Sequence, residues 1–115
     1  MRNNEFKKFG NESEDRAIEY LEKSGFIIVE RNFYAKKMGE IDIIAKREDV
    51  LHFIEVKSSS NSSYEPIYNI TPTKLRRVVN SAHYYLKSKK LDIAFCIDAL
   101  IVSGKDIELI ENITL

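Results

Sequence analysis

The 115-residue sequence is 43% hydrophobic, 10% aromatic and formally neutral at pH 7, which points to one folded domain, residues 1–115, and excludes a disordered chain. No apolar run approaches the ~20 residues of a membrane span, and the opening MRNNEFKKFG has no apolar segment of a secretory signal. The neutral total excludes a uniformly basic surface, but the charge is segregated: residues 58–90 carry a net of +5 and residues 91–115 a net of −4.

Residues 12–24 are predicted as a helix stopped by Gly25. Ala17, Ile18 and Leu21 follow helical spacing, and the same face one turn earlier carries Glu14. A glutamate thus lies on the stripe that should meet the core, although a helix start also favours an acid through the dipole alone. Phe26 to Phe33 reads as a strand, followed by a turn at Lys36-Lys37-Met38-Gly39. Residues 40–47 form a second strand, Glu48-Asp49 a turn, and residues 50–57 a third strand, so tightly joined that an antiparallel hairpin is expected.

The SSSNSSYEP stretch that follows is a polar loop. Its neighbourhood holds Tyr64 and Tyr68, which could stack on unpaired bases or anchor the loop. Thr71 suits an N-cap and Pro72 the first helical position, opening a helix with a buried stripe of Leu75, Val78, Val79, Ala82 and Leu86. Residues 92–102 form a fourth strand, 103–106 a turn and 107–113 a fifth. The order α-β-β-β-α-β-β predicts an α/β domain with a mixed sheet of about five strands flanked by helices. The second helix would be the crossover that makes strands three and four parallel. The lone Cys96, within IAFCIDALIV, allows no internal disulfide or Cys-rich zinc site. It reads as a small buried hydrophobe and suits a reducing cytoplasm.

The charges within the hairpin need an explanation, because buried charges are costly unless paired or metal-bound. In GEIDIIA and HFIEVK, alternation puts Glu40 and Asp42 on one side of their strand and Glu55 and Lys57 on one side of theirs. Ile41, Ile43, Ile54 and Val56 then take the opposite sides as core. The hairpin gathers the charges into one neighbourhood. Carboxylates on a rigid sheet suit Mg²⁺, which takes oxygen ligands and keeps several waters. A lysine beside them could orient water or offset charge on a phosphate. The plainer account is an ion pair of Lys57 with Glu55 or Asp42 at a sheet edge.

These residues resemble a known signature. Asp42 followed by Glu55-Val56-Lys57 is similar to the D…(D/E)-x-K element of restriction-endonuclease-like, or PD-(D/E)xK, nucleases. More narrowly, the chain resembles the UPF0102 (YraN-like) family, related to archaeal Holliday-junction resolvases. The match runs from about Gly10 to the C-terminus through Gly10-x-x-x-Glu14-x-x-Ala17, Glu30-Arg31-Asn32, Gly39-Glu40-Ile41-Asp42, Phe53-Ile54-Glu55-Val56-Lys57, Lys74, Ala82 and Asp98. It implies a restriction-endonuclease-like core and a metal-dependent nuclease with Glu14, Asp42, Glu55 and Lys57 as catalytic residues. Asp42, Glu55 and the Val56 carbonyl would hold Mg²⁺ or Mn²⁺, Lys57 would position the attacking water, and Glu14 would reach in from the first helix. Glu40 would support the site from behind or pair with Arg31. The chain has Ser13, Ser59 and Cys96 where the family often has a glycine and two arginines, so two groups that could contact phosphate are absent. Asp98 stays outside the catalytic set.

On the second helix, Arg76, Asn80, His83, Lys87 and Lys90 form a polar stripe, with Lys74 and Arg77 beside it. Lys74, Arg76, Arg77 and Lys87 are the expected phosphate contacts for a nucleic-acid partner, DNA before RNA. A solvated face accounts for such a stripe equally simply. His52 and His83 show no partner pattern and read as structural. The functional alternatives are a Mg²⁺-dependent nuclease for branched or structured DNA, a binding module of the same fold with little turnover, and a protein-interaction domain held by ion pairs. Resolvase-like cutting would also call for a two-fold homodimer.

Overall fold

The computed structural model describes residues 4–59 and 70–114; Tyr64 and Tyr68 lie outside the described residues. Helix α1 spans Asn4–Lys23 and ends in a Schellman turn. Gly25 N–H donates to the Glu22 carbonyl at 3.1 Å and Phe26 N–H to the Leu21 carbonyl at 2.9 Å, with Gly25 at φ +94°. That turn sets Phe26 on the same buried cluster as Leu21. The helix starts two turns before the predicted residue 12, because only its C-terminal half carries the apolar spacing that periodicity detects.

Strand β1 (Ile27–Tyr34) leads through a short 3₁₀ turn (Lys36–Met38) into β2 (Glu40–Arg47) and β3 (Val50–Ser59). Helix α2 (Pro72–Ser88) crosses to β4 (Ala94–Ser103), and β5 (Asp106–Ile110) closes the chain. The sheet order is β1-β2-β3-β4-β5. All neighbours are antiparallel except β3 and β4, which run parallel across the α2 crossover as the element order implied. A mixed α/β sheet with a helix against each face is the result. No described helix is long and apolar enough to cross a membrane.

The two faces pack separately. Under α1 lie Ala17, Leu21, Phe26, Ile43, Ala45, Ile54, Leu100 and Val102. Under α2 lie Ile41, Ile44, Leu51, Phe53, Val78, Ala82, Tyr85, Leu86 and Ile97. Strands β3 and β4 are covered on both sides, which is why their sequences read as continuous apolar runs rather than alternation.

Two expectations about packing are corrected. First, Ser81 and Tyr85 are buried on α2 while Leu75 and Val79 are only partly so. Tyr85 packs edge-on against Phe33 and Phe53, with ring centroids 4.9 and 5.7 Å apart. Ser81 is accommodated because its hydroxyl donates to the Arg77 carbonyl at 2.8 Å. Second, Ile41 and Ile43 do not share a face: Ile41 packs with α2 and Ile43 with α1. Strict alternation therefore breaks at Asp42. The neighbouring strand does the same, since Phe33 packs towards α2 while Arg31 reaches α1. Between them, Asn32 takes a left-handed φ of +53°. The registers Arg31–Ile43 and Phe33–Ile41 set Asn32 opposite Asp42.

Thr71 caps α2 as expected, its hydroxyl accepting from Lys74 N–H at 3.1 Å, with Pro72 at the first position. Thr71→Ala should cost about 1 kcal/mol, measured as a lower urea midpoint at unchanged slope.

Candidate metal and phosphate site

The site begins with a turn that only glycine fits comfortably. Gly39 has φ +123°, and a Cβ there would meet the Arg77 guanidinium at 3.5 Å. Arg77 Nε donates to the Met38 carbonyl at 3.3 Å, tying this turn to α2. The next residues, Glu40 and Asp42, enter β2 directly beside the C-terminal half of β3.

Asp42 is fixed by the backbone. Its Oδ2 accepts the Val56 N–H at 2.8 Å, just beyond the last β2–β3 pair, Ile43 with Ile54. The carboxylate thus takes over a strand N–H where the ladder stops. Glu55, on β3, is only 5% exposed. Its Oε2 is buried with no hydrogen-bond partner among the described residues, and its Oε1 lies 3.9 Å from Lys74 Nζ. Burial first, and the Asp42 charge second, push the Glu55 carboxyl up to about 8. Burial likewise raises Asp42, helped by Glu14 and Glu40 and opposed by the Val56 N–H and Lys74. Such elevation, of Glu55 by Asp42 and of Asp42 by Glu14 and Glu40, marks carboxylates brought together without sufficient positive charge.

Glu40, Asp42, Glu55, Val56, Lys74 and Arg77 line one cavity of 670 Å³. Two predicted residues stand beside it. Glu14 has 16% side-chain exposure and its charge reaches Asp42, but its Oε1 is engaged by Arg31 at 3.4 Å and Asn32 at 3.2 Å. Arg31 also binds Asp15 at 2.9 Å, so it pairs with α1 and not with Glu40. Lys57 is half-buried and favours the charged form of Glu55, though less than Lys74 does. The ion pair on Glu55 is therefore made by Lys74, at 53% side-chain exposure. Arg76 and Lys87 are exposed on α2 and line no part of this cavity.

Sequence reasoning placed Lys74 among phosphate contacts and missed its approach to Glu55. The signal was present in the Thr71-Pro72 cap, which fixes Lys74 in the first turn of the crossover helix. It also missed a second cluster. Cys96 is half-buried rather than a plain buried hydrophobe, and it touches His52 and Asp98. Burial and the Asp98 charge push its thiol up to about 12, so it is no nucleophile.

A carboxyl whose folded pKa lies above its unfolded value favours folding at low pH, and that contribution is lost as pH rises through the folded pKa. For Glu55 the window runs from 4.5 to about 8. Metal-free protein should therefore lose stability as pH rises across it. Glu55→Gln should flatten the slope and stabilise the protein at pH 8 by at least about 1 kcal/mol, read from denaturation midpoints over pH.

The sequence matches the family model described as "Uncharacterised protein family UPF0102" over residues 13–102. It is 60% identical to a UPF0102 protein of Sulfurovum sp. (strain NBC37-1), covering 95% of this chain and 96% of that one. It is 56% identical to the UPF0102 protein WS0451 of Wolinella succinogenes, over 92% of this chain and 95% of the relative. A UPF0102 protein of Helicobacter hepaticus is 52% identical over 92% and 94%. With a family match across most of its length and full-length relatives at these identities, the chain belongs to the UPF0102 family.

Proposed function

We propose that this chain is a metal-dependent nuclease with a restriction-endonuclease-like core, hydrolysing phosphodiester bonds in branched or otherwise structured DNA. The observation that carries the reading is the Asp42–Glu55 pair. Burial raises both carboxyls, the half-buried Asp42 adds to the rise of the buried Glu55, and one oxygen, Glu55 Oε2, has no partner among the described residues beside a cavity that both acids line. An orphaned buried oxygen next to a second carboxylate fits a hard divalent cation, Mg²⁺ or Mn²⁺, held by Asp42, Glu55 and the Val56 carbonyl. When bound, the ion supplies the positive charge that draws in a phosphate and acidifies water.

The chain's own groups divide the remaining work. The Val56 N–H holds the Asp42 carboxylate in place before any ligand arrives. Lys57 positions the attacking water, and Lys74 and Arg77, at the cavity wall, offset phosphate charge. Glu14, held by Arg31 and Asn32, adds negative charge near Asp42 and so favours loading with a cation. Arg76 and Lys87 extend the basic surface along α2 for contact with a longer backbone. Glu40 lines the cavity, and its like charge, which disfavours ionised Asp42, adds to the negative field that a bound cation would relieve. A two-fold symmetric junction would be cut by a homodimer presenting two such sites, and the chain's single cysteine suits the cytoplasm.

The test is a cleavage panel of four-way junctions, flaps, single strands, duplexes and structured RNA, with Mg²⁺ or Mn²⁺. Cleavage of at least one branched DNA is expected. Asp42→Asn and Lys57→Ala should each lower it by at least about a hundredfold while circular dichroism shows the fold intact. Activity that survives both changes would overturn the site. Binding without cleavage across all metals and substrates would instead identify a nucleic-acid-binding module of the same fold.

A further inference from the structure

The α1 face of the sheet holds a second group of ligating side chains that the carboxylate site does not use. Parallel pairing sets His52 beside Cys96 and Ile54 beside Asp98. Residues two apart on β4 share a face, so the three side chains converge. His52 Nδ1 lies 2.5 Å from Asp98 Oδ2 and 3.2 Å from Cys96 Sγ, and Sγ lies 3.3 Å from Asp98 Oδ1. His52 is 3% exposed and Asp98 0%, while Cys96 is partly open to solvent.

Hydrogen bonding accounts for only part of this arrangement. An imidazole Nδ1 carries at most one hydrogen, and a thiol carries one. The first is directed to Asp98 Oδ2 and the second to Oδ1, which also accepts the Asn112 N–H at 2.8 Å. Sγ and Nδ1 nevertheless sit 3.2 Å apart, with no hydrogen left to place between them. Sulfur, nitrogen and oxygen thus surround a common point, each with a lone pair available once its proton leaves.

We propose that His52, Cys96 and Asp98 form a binding site for a borderline transition-metal ion of the Zn²⁺ type, distinct from the carboxylate cavity. One imidazole nitrogen, one thiolate and one carboxylate oxygen form a donor set that Zn²⁺ accepts in full, whereas Mg²⁺ and Ca²⁺ take oxygen. Loading releases the thiol proton, and the imidazole hydrogen passes from Nδ1 to Nε2 by exchange with solvent, which frees the Nδ1 lone pair for the ion. The thiolate and carboxylate then neutralise the dication, so the loaded cluster adds no net charge beside the Arg47–Glu111 ion pair.

Tetrahedral bonds of about 2.0–2.3 Å place ligand atoms roughly 3.3–3.6 Å apart. The Sγ–Nδ1 separation of 3.2 Å and the Sγ–Oδ1 separation of 3.3 Å are already close to that, and the carboxylate, whose other oxygen Oδ2 lies 2.5 Å from Nδ1, swings back from His52 to offer one oxygen. The surroundings orient the ligands. Asn112 N–H holds Asp98, and the Phe26 ring packs edge-on to His52 at a centroid distance of 4.9 Å. The open side of Cys96 provides entry and a fourth position for water. His52 lies three residues from Glu55 on the other face of β3, roughly 10 Å along the strand, so the two sites load independently. An ion here joins the central parallel pair side to side.

The test uses the full chain stripped of metal, in the wild type and in Asp42→Asn. Zn²⁺ titration by calorimetry should show one site that Asp42→Asn leaves unchanged. Co²⁺ should give a thiolate-to-metal charge-transfer band in both proteins. Cys96→Ser should abolish that band and weaken Zn²⁺ on the order of a hundredfold or more, and His52→Gln should weaken it likewise. Absence of the thiolate band in folded protein, or Zn²⁺ bound equally tightly by Cys96→Ser, would overturn the proposal.

Discussion

Parallel pairing of β3 with β4 is the constraint from which both clusters of functional groups follow. Parallel neighbours cannot be joined by a tight turn, so the chain must cross over, and α2 is that crossover. The crossover brings Lys74 and Arg77 over the Glu55 end of β3. The same pairing, read on the opposite face, sets His52 against Cys96 and Asp98. An antiparallel β3–β4 pair would need no such helix and would give a different set of neighbours on each face.

The sheet tolerates buried charge because each charged group has a specific device. Asp98 is satisfied by His52 and by the Asn112 N–H. Asp42 is satisfied by the Val56 N–H. Glu14 is held by Arg31 and Asn32 from β1. Glu55 has Lys74 at 3.9 Å and the charge of Lys57 but, among the described residues, keeps one oxygen unpaired, so the electrostatic strain of the fold is concentrated there. Strain confined to one residue at the wall of a cavity is more informative than the same strain spread over the surface.

Much of this was legible in the sequence, for reasons that differ by element. The β2–β3 hairpin and its acids were found because a two-residue connection leaves one geometry. The Thr71-Pro72 cap and Gly25 stop were found because each residue type answers a specific backbone demand. Helical spacing alone sets Glu14 on the stripe of Ala17 and Leu21. The end of α2 had no glycine to mark it, since Lys90 itself adopts the left-handed conformation at φ +56°. The paired face switch at Asn32 and Asp42 was invisible because alternation assumes an unbroken pleat, and Asn32 breaks it with a positive φ. His52, Cys96 and Asp98 were read one at a time, and only the parallel register makes them a group.

The Asp42–Val56 hydrogen bond has a consequence for how this position can change over time. The bond requires an oxygen acceptor at Asp42, whatever its charge, because the Val56 N–H it satisfies belongs to the main chain and cannot be substituted away. Loss of charge and loss of the oxygen are therefore unequal events. An asparagine keeps the hairpin joined and forfeits only the negative charge, whereas an aliphatic residue strands a backbone donor where the β2–β3 ladder ends. Lineages that abandon the proposed chemistry should pass through asparagine at this position, leaving a silent but well-folded descendant.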